Sequence, residues 1–166
     1  LEIIHDLFSQ ESGGKEILFP VVAYYGAGRG WLPSNSRKTN PSEKSKGPAR
    51  RWSGFYDCFS ERIRFADFRE WFKREVLASG NRNGRMRPGF EVVRRAILSC
   101  VPDADGIWFD SDRDQIVLDV GGVVQPFDNL SAGQRMILAL AADIAIRAVS
   151  QNASLLPPDV LDGDET

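Results

Sequence analysis

Apolar and polar positions alternate along this chain with periods that change several times, and each change marks an element. At the start, Ile3, Ile4, Leu7 and Phe8 recur at helical spacing and stop at Ser12-Gly13-Gly14, which predicts the end of a helix closed by a turn. From Ile17 to Tyr25 nearly every position is apolar, and the run breaks at Gly26-Ala27-Gly28-Arg29-Gly30. A short, continuous apolar run bounded by glycine predicts a central strand covered on both faces. Hydrophobic periodicity vanishes between Trp31 and Ser53, where Pro, Ser, Asn, Gly and basic residues predict a flexible loop.

Periodicity returns at Phe55. An amphipathic stretch from Phe55 to Arg64 continues through Phe65, Phe68, Trp71, Phe72 and Val76 at steps of three and four, which predicts a helix with a broad aromatic stripe. Gly80-Asn81-Arg82-Asn83-Gly84 reads as its terminating turn, and Pro88 suits the first turn of a second helix. In that helix Phe90, Val93, Ala96, Ile97 and Cys100 line one face and Glu91, Arg94 and Arg95 the other, so the two helices pair. Short strand-like runs follow at Gly106 to Asp110, Gln115 to Val120 and Val123 to Gln125. A polar turn and then Gly121-Gly122 separate them, predicting a three-stranded antiparallel meander.

The last regular pattern begins at Leu130-Ser131-Ala132-Gly133-Gln134-Arg135 and runs through the apolar stretch Met136 to Val149. Ser131 and Gln134 stand in capping-box relation, the serine oxygen accepting from the third helical amide while the glutamine reaches back. Ile137, Leu140, Ala141, Ile144, Ala145 and Ala148 share one helical face, predicted to be buried. A capped N-terminus with a glycine in its first turn offers backbone N–H groups to an anion. After Val149 the chain turns polar and then acidic, with Asp159, Asp162, Asp164 and Glu165 beyond Pro157-Pro158.

These six residues resemble the signature motif of ATP-binding-cassette-type ATPases, Leu-Ser-Gly-Gly-Gln, with Ala132 in place of the first glycine. Asp143, Ile144, Ala145 and Arg147 resemble the Asp-Ile-Ala-x-Arg run of one bacterial branch, the AAA-type ATP-binding proteins related to the RecF, SMC and OLD-like ATPases. The stretch from Pro20 to Arg29 is similar to the strand that, in that branch, lies between the nucleotide-binding start of the domain and its helical insertion. The resemblance spans about Val21 to Val149. It implies an α+β piece of an α/β P-loop ATPase fold: a central strand, a helical pair, a small antiparallel meander and a long C-terminal signature helix. The corresponding segments are 1–30 (core helix end and buried strand), 31–54 (flexible basic loop), 55–104 (helical insertion), 105–128 (meander), 129–150 (signature motif and helix) and 151–166 (acidic tail). In the family the insertion carries the signature helix and swings relative to the nucleotide-binding core.

The resemblance also implies a role for each motif residue. Ser131, the amides of Ala132 and Gly133, and Gln134 would bind ATP in trans across a head-to-tail dimer with a second copy of the complete protein, with Arg135 and Arg29 near the site. The complete protein would use ATP and magnesium; tight binding of either to this chain alone is not expected. Genome maintenance or phage defence, with DNA or an effector nuclease as partner, is the setting the branch implies.

The machinery for hydrolysis is not in this sequence. Gly14-Lys15 invites comparison with a phosphate-binding loop, but Ser9 stands where the first glycine belongs and Glu16 where the magnesium-binding hydroxyl belongs. Ile116-Val117-Leu118-Asp119 superficially resembles the strand and aspartate that hold magnesium, yet Val120 follows in place of a glutamate and a glycine hairpin comes next. Catalysis by this chain alone is therefore not expected, and no catalytic or metal-binding residue is assigned.

Composition narrows the remaining possibilities. With 166 residues, 42% hydrophobic and 27% charged, the chain has the balance of an ordinary globular domain, and no apolar run reaches the roughly 18 residues of a membrane span. Two cysteines, Cys58 and Cys100, and a single histidine, His5, argue against a zinc cluster or a His-based catalytic group. Both cysteines sit among apolar neighbours and are expected to be buried, reduced thiols of a cytoplasmic protein; His5 is expected at the surface or in packing. No secretory leader is evident, and the start at Leu1 suggests a piece of a longer protein.

One charge feature stands apart from the ATPase resemblance. Between Arg29 and Arg51 seven basic residues (Arg29, Arg37, Lys38, Lys44, Lys46, Arg50, Arg51) face one acid, Glu43, a local +6 in a chain of formal net charge -2. Arg37, Lys38, Arg50 and Arg51 are the candidate contacts to nucleic-acid phosphates, which makes a non-catalytic nucleic-acid-binding module the alternative function.

Overall fold

The computed structural model describes residues 2–13, 17–26, 55 and 65–156. The basic loop, Arg29, Cys58 and residues 157–166 of the acidic tail all lie outside the described residues. So does the Gly14-Lys15 pair.

The architecture is mixed helix and antiparallel sheet. Helix α1 (Glu2–Ser12) closes at Gly13, whose N–H donates to the carbonyls of Ser9 and Gln10, as the glycine punctuation predicts. Helix α2 (Phe65–Gly80) and helix α3 (Pro88–Leu98) touch as expected, through Trp71, Phe72 and Phe90, but α3 packs chiefly on the long C-terminal helix instead of on α2. Their turn needs left-handed backbone at Asn83 (φ 54°) and Gly84 (φ 80°), and Asn and Gly are the residues that adopt it most readily. Pro88 begins α3, where its fixed φ and missing N–H cost nothing.

Strands β1 (Ala104–Asp110), β2 (Gln115–Val120) and β3 (Val123–Pro126) form the antiparallel meander in the order β1-β2-β3. Gly121 and Gly122 both take positive φ, 60° and 80°, which the tight two-residue hairpin requires. Ile107, Phe109, Ile116 and Leu118 turn one face of this sheet towards the helices. Asp119 is an ordinary strand residue here, paired with Gly106 on one side and Val124 on the other. A 3-10 turn at Phe127–Asn129 then leads into helix α4 (Ala132–Gln151).

The core is where α2, α3, α4 and the sheet converge. Phe72, Val93, Ile97, Leu118 and Ala142 are completely buried. Aromatic rings tie the layers together: Phe72 meets Phe90 edge-on at 4.9 Å, Trp71 stacks on Phe90, and Phe65 stacks on Phe127 with centroids 4.0 Å apart. Helices α3 and α4 approach so closely that Gly89 is the only residue type their crossing accepts, because a Cβ there would lie 2.5 Å from Cγ1 of Val149. At the periphery Asp114 bridges the sheet to α2 through Arg69 and Lys73. Chiefly the Lys73 hydrogen bond holds the Asp114 carboxyl below the usual carboxylate range.

Three expectations are corrected. The run from Ile17 to Tyr25 is not a sheet strand covered on both sides: it belongs to no ladder among the described residues, and its side chains alternate. Phe19 is buried, whereas Leu18, Val22 and Tyr24 are exposed, 70% in the case of Leu18. The backbone that a sheet neighbour would have bound is instead held by a side chain, since Asn152 accepts from Phe19 N–H (2.7 Å) and donates to its carbonyl (3.0 Å).

The buried face of α4 is rotated from the one expected. Leu138, Ala139, Ala142 and Ala145 are buried, while Ile137 and Ile144 are exposed. A helix apolar nearly all round offers two faces of equal spacing, and periodicity alone does not choose between them. Finally, Cys100 is exposed, because α3 ends at Leu98 and the cysteine falls in the turn beyond it. His5 is exposed, one of the two positions anticipated for it.

Candidate functional site

The site is the N-terminal end of α4 and the residues that hold it still. Phe127 and Leu130, each 4% exposed, plug the core on either side of the 3-10 turn and fix the direction in which the chain enters the helix. Leu130 N–H donates to the Phe127 carbonyl. With Leu130 anchored inward, Ser131, Ala132 and Gly133 fall outward and all three are exposed.

The predicted capping box is present in full. Gln134 N–H donates to Ser131 Oγ at 3.3 Å, and Ser131 N–H donates to Gln134 Oε1 at 3.0 Å. This reciprocal pair consumes two backbone donors and two side-chain acceptors. It leaves the Ser131 hydroxyl proton and the Gln134 Nε2 hydrogens available, both as donors. The amides of Ala132 and Gly133, first and second in the helix, have no intrahelical acceptor by construction. A Cβ built on Gly133 meets nothing within 4 Å, so the approach to these amides is open.

The electrostatic sign of this end is positive. A helix of 20 residues concentrates about half a unit of positive charge at its N-terminus, and no acidic residue stands in the first turn to neutralise it. Arg135, at the end of the first turn, is exposed, and its N–H donates to the Ser131 carbonyl. The arrangement is a donor-only cradle, suited to an anion with several oxygens.

Further along α4, a polar connection ties the extended segment to the helix. Tyr25 hydroxyl donates to Asp143 Oδ2 at 2.7 Å, and Arg147 Nε donates to the same oxygen at 2.9 Å. Burial, then the hydrogen bond to Asp143 and its negative charge, push the Tyr25 phenol well above its ordinary value, with the Arg147 charge opposing. The sequence singled out Asp143 and Arg147 only as members of the Asp-Ile-Ala-x-Arg run, and neither their pairing nor Tyr25, more than a hundred residues away, was legible in it. Sequence patterns gave no sign of the Asn152 clamp on Phe19 either, since a single Asn at a helix end ordinarily signals no more than a cap.

No family model matches the chain, and no curated protein does. The geometry therefore stands on its own. Ser131, Ala132 and Gly133 are exposed at the start of α4, Gln134 is half-buried in the cap, and Arg135 is exposed one residue on. Arg29, Arg37, Lys38, Arg50 and Arg51 lie outside the described residues. Among the described residues there is no group of three or more His, Cys, Asp or Glu side chains fit to hold a metal ion, and no helix is long and apolar enough to cross a membrane.

Proposed function

We propose that this chain supplies the signature half of an ATP site, completed in trans when two copies of a larger ATPase pair head to tail. The P-loop fold is the parent architecture on this reading. The observation that carries it is the open end of α4: Ser131 and Gln134 lock each other in a capping box while their remaining protons and two unclaimed helix amides face outward.

The chemistry follows from the donor inventory. A γ-phosphate presents three oxygens and negative charge, and the Ser131 hydroxyl, the Ala132 and Gly133 amides and the Gln134 side-chain amide present only donors. Gly133 matters because the partner-bound nucleotide must come close to the main chain. The cap matters because it fixes the donors before the nucleotide arrives, so little conformational freedom is lost at binding. These residues bind and orient; they abstract no proton. Attack by water, and the magnesium ion that neutralises developing charge, fall to groups that this sequence does not contain, and none of its residues is assigned to the metal.

On this reading ATP joins two subunits and its hydrolysis releases them. The setting in DNA maintenance or phage defence, with DNA or an effector nuclease as partner, belongs to the same proposal. The test is Ser131→Arg in the full-length protein. Its bulk and charge fill the cradle while leaving the core untouched, and ATP-dependent dimerisation and ATP hydrolysis are both expected to be lost. Hydrolysis and dimerisation at wild-type levels would exclude contact between this helix end and the nucleotide.

A further inference from the structure

A second cationic surface lies at the turn between α2 and α3, away from the basic loop in sequence. From Val76 to Phe90 the chain holds three arginines, Arg82, Arg85 and Arg87, and no acid. Arg74, in the last two turns of α2, adds a fourth. Arg74, Arg85 and Arg87 are exposed. Neither Arg74 nor Arg85 has an acidic partner among the described residues.

The turn is built to hold these groups in place. Arg82 N–H and Gly84 N–H both donate to the Ser79 carbonyl at 2.9 Å, and Arg85 N–H donates to the Arg82 carbonyl. Asn83 and Gly84 in left-handed backbone reverse the chain sharply. Arg87 then reaches back to Glu75, which is 6% exposed, with Nη1 3.3 Å from Oε1. That pair ties the turn to the last two turns of α2, the helix that also carries Arg74. It also engages the Glu75 carboxylate inside the protein, and of the acids that flank the turn Glu91 pairs with Arg94 while Glu70 lies a helical turn before Arg74, leaving the stretch from Val76 to Phe90 without an acid of its own.

We propose that this α2–α3 tip binds the phosphodiester backbone of nucleic acid. Guanidinium groups take phosphate oxygens through paired N–H donors, and a rigid turn presents them without the ordering cost of a loose loop. The composition favours a polyanionic backbone over an acidic protein. Arginines flanked by Asn81, Asn83 and Gly84 offer donors and close approach, and the turn itself carries no aromatic anchor of the kind that dominates protein interfaces. This surface is independent of the ATP-site proposal and stands or falls separately.

The test measures binding of the 166-residue chain to a fluorescein-labelled DNA duplex, and to the matching RNA duplex, by fluorescence anisotropy across a salt series. Arg74→Gln with Arg85→Gln removes the two unpaired side chains without disturbing a partner, and circular dichroism checks that the fold is kept. With about 0.9 counterions released per phosphate contact, the double variant should lower the slope of log K against log salt by about 1.8. If the two curves meet near 1 M salt, that is a loss of affinity on the order of a hundredfold at about 50 mM. Equal losses on both duplexes indicate backbone recognition, and a loss on one alone names the preferred nucleic acid. Three results overturn the proposal: no binding of the wild-type chain at low salt; an unchanged slope in the double variant while Arg37, Lys38, Arg50 and Arg51→Gln abolishes binding; or binding of polyglutamate as tight as that of the duplexes, which would make the tip an acidic-protein site.

Discussion

Gly89→Ala tests the closest approach in the fold. Gly89 is the second residue of α3, and the added methyl carbon would sit 2.5 Å from Cγ1 and 3.8 Å from Cβ of Val149, with Leu156 Cδ1 at 3.3 Å. Carbon atoms prefer separations of about 3.5–4.0 Å, so the overlap with Val149 is at least about 1 Å. Val149 cannot swing aside cheaply, because a β-branched side chain in a helix has one strongly preferred rotamer. The helices must therefore separate, and overpacking of this kind costs about 1–3 kcal/mol. Against it, alanine gains up to about 1 kcal/mol over glycine in helix propensity, less at a helix end. The net expectation is a destabilisation of about 1–2 kcal/mol, a fall in Tm of roughly 2–8 °C for a chain of this size. Urea denaturation of the single variants and of Gly89→Ala with Val149→Ala completes a double-mutant cycle. The second substitution removes the obstructing methyls, so the pair should be more stable than the sum of the single effects by about 1 kcal/mol or more. A Gly89→Ala protein as stable as the parent, or strictly additive effects, would refute the claim that this crossing is set by a missing side chain.

Three further predictions bear on the site and its supports. Ser131→Ala removes one half of the capping box and should lower stability by about 1 kcal/mol in thermal denaturation, with Ser131→Asp retaining most of it. Asn152→Ala leaves the buried Phe19 N–H without its acceptor, for a loss of about 1–3 kcal/mol and faster hydrogen exchange at the Phe19 amide; unchanged exchange would argue against the clamp. Because the Tyr25 phenol is raised above its ordinary value near 10, the folded state holds that proton more tightly than the unfolded chain does. Its contribution is complete below pH 10 and declines as the pH rises past it, so Tyr25→Phe should flatten the alkaline limb of a stability-versus-pH curve measured by urea denaturation.

The elements most legible in the sequence were those whose signal is local. Pro88, the Gly80–Gly84 turn, the Gly121-Gly122 hairpin and the Ser131/Gln134 box each depend on two to five neighbouring residues, and each is where pattern and turn chemistry place it. The errors arose where partners are distant. An uninterrupted apolar run reads as a doubly covered strand, yet Ile17 to Tyr25 alternates because one edge rests against α4 and Asn152 replaces a neighbouring strand. The face of α4 was misassigned by one position because Ile137 and Leu138 are equally apolar; only the packing of α3 and the sheet selects Leu138, Ala142 and Ala145. Within the candidate site the motif residues and the cap were visible beforehand. The inward plug formed by Phe127 and Leu130, which makes the cap face outward, required the three-dimensional arrangement.

The extended segment is fastened to α4 at two levels, Phe19 to Asn152 and Tyr25 to Asp143. Those helix positions are nine residues apart, about 13 Å along the axis. A ribbon pinned at one place can pivot like a flag, whereas one pinned at two must roll with its pole. Torque applied to residues 19–25 is thus delivered to the C-terminal half of α4, where Val149 is packed against Gly89 of α3, while Phe127 and Leu130 hold the Ser131 end of the same rod.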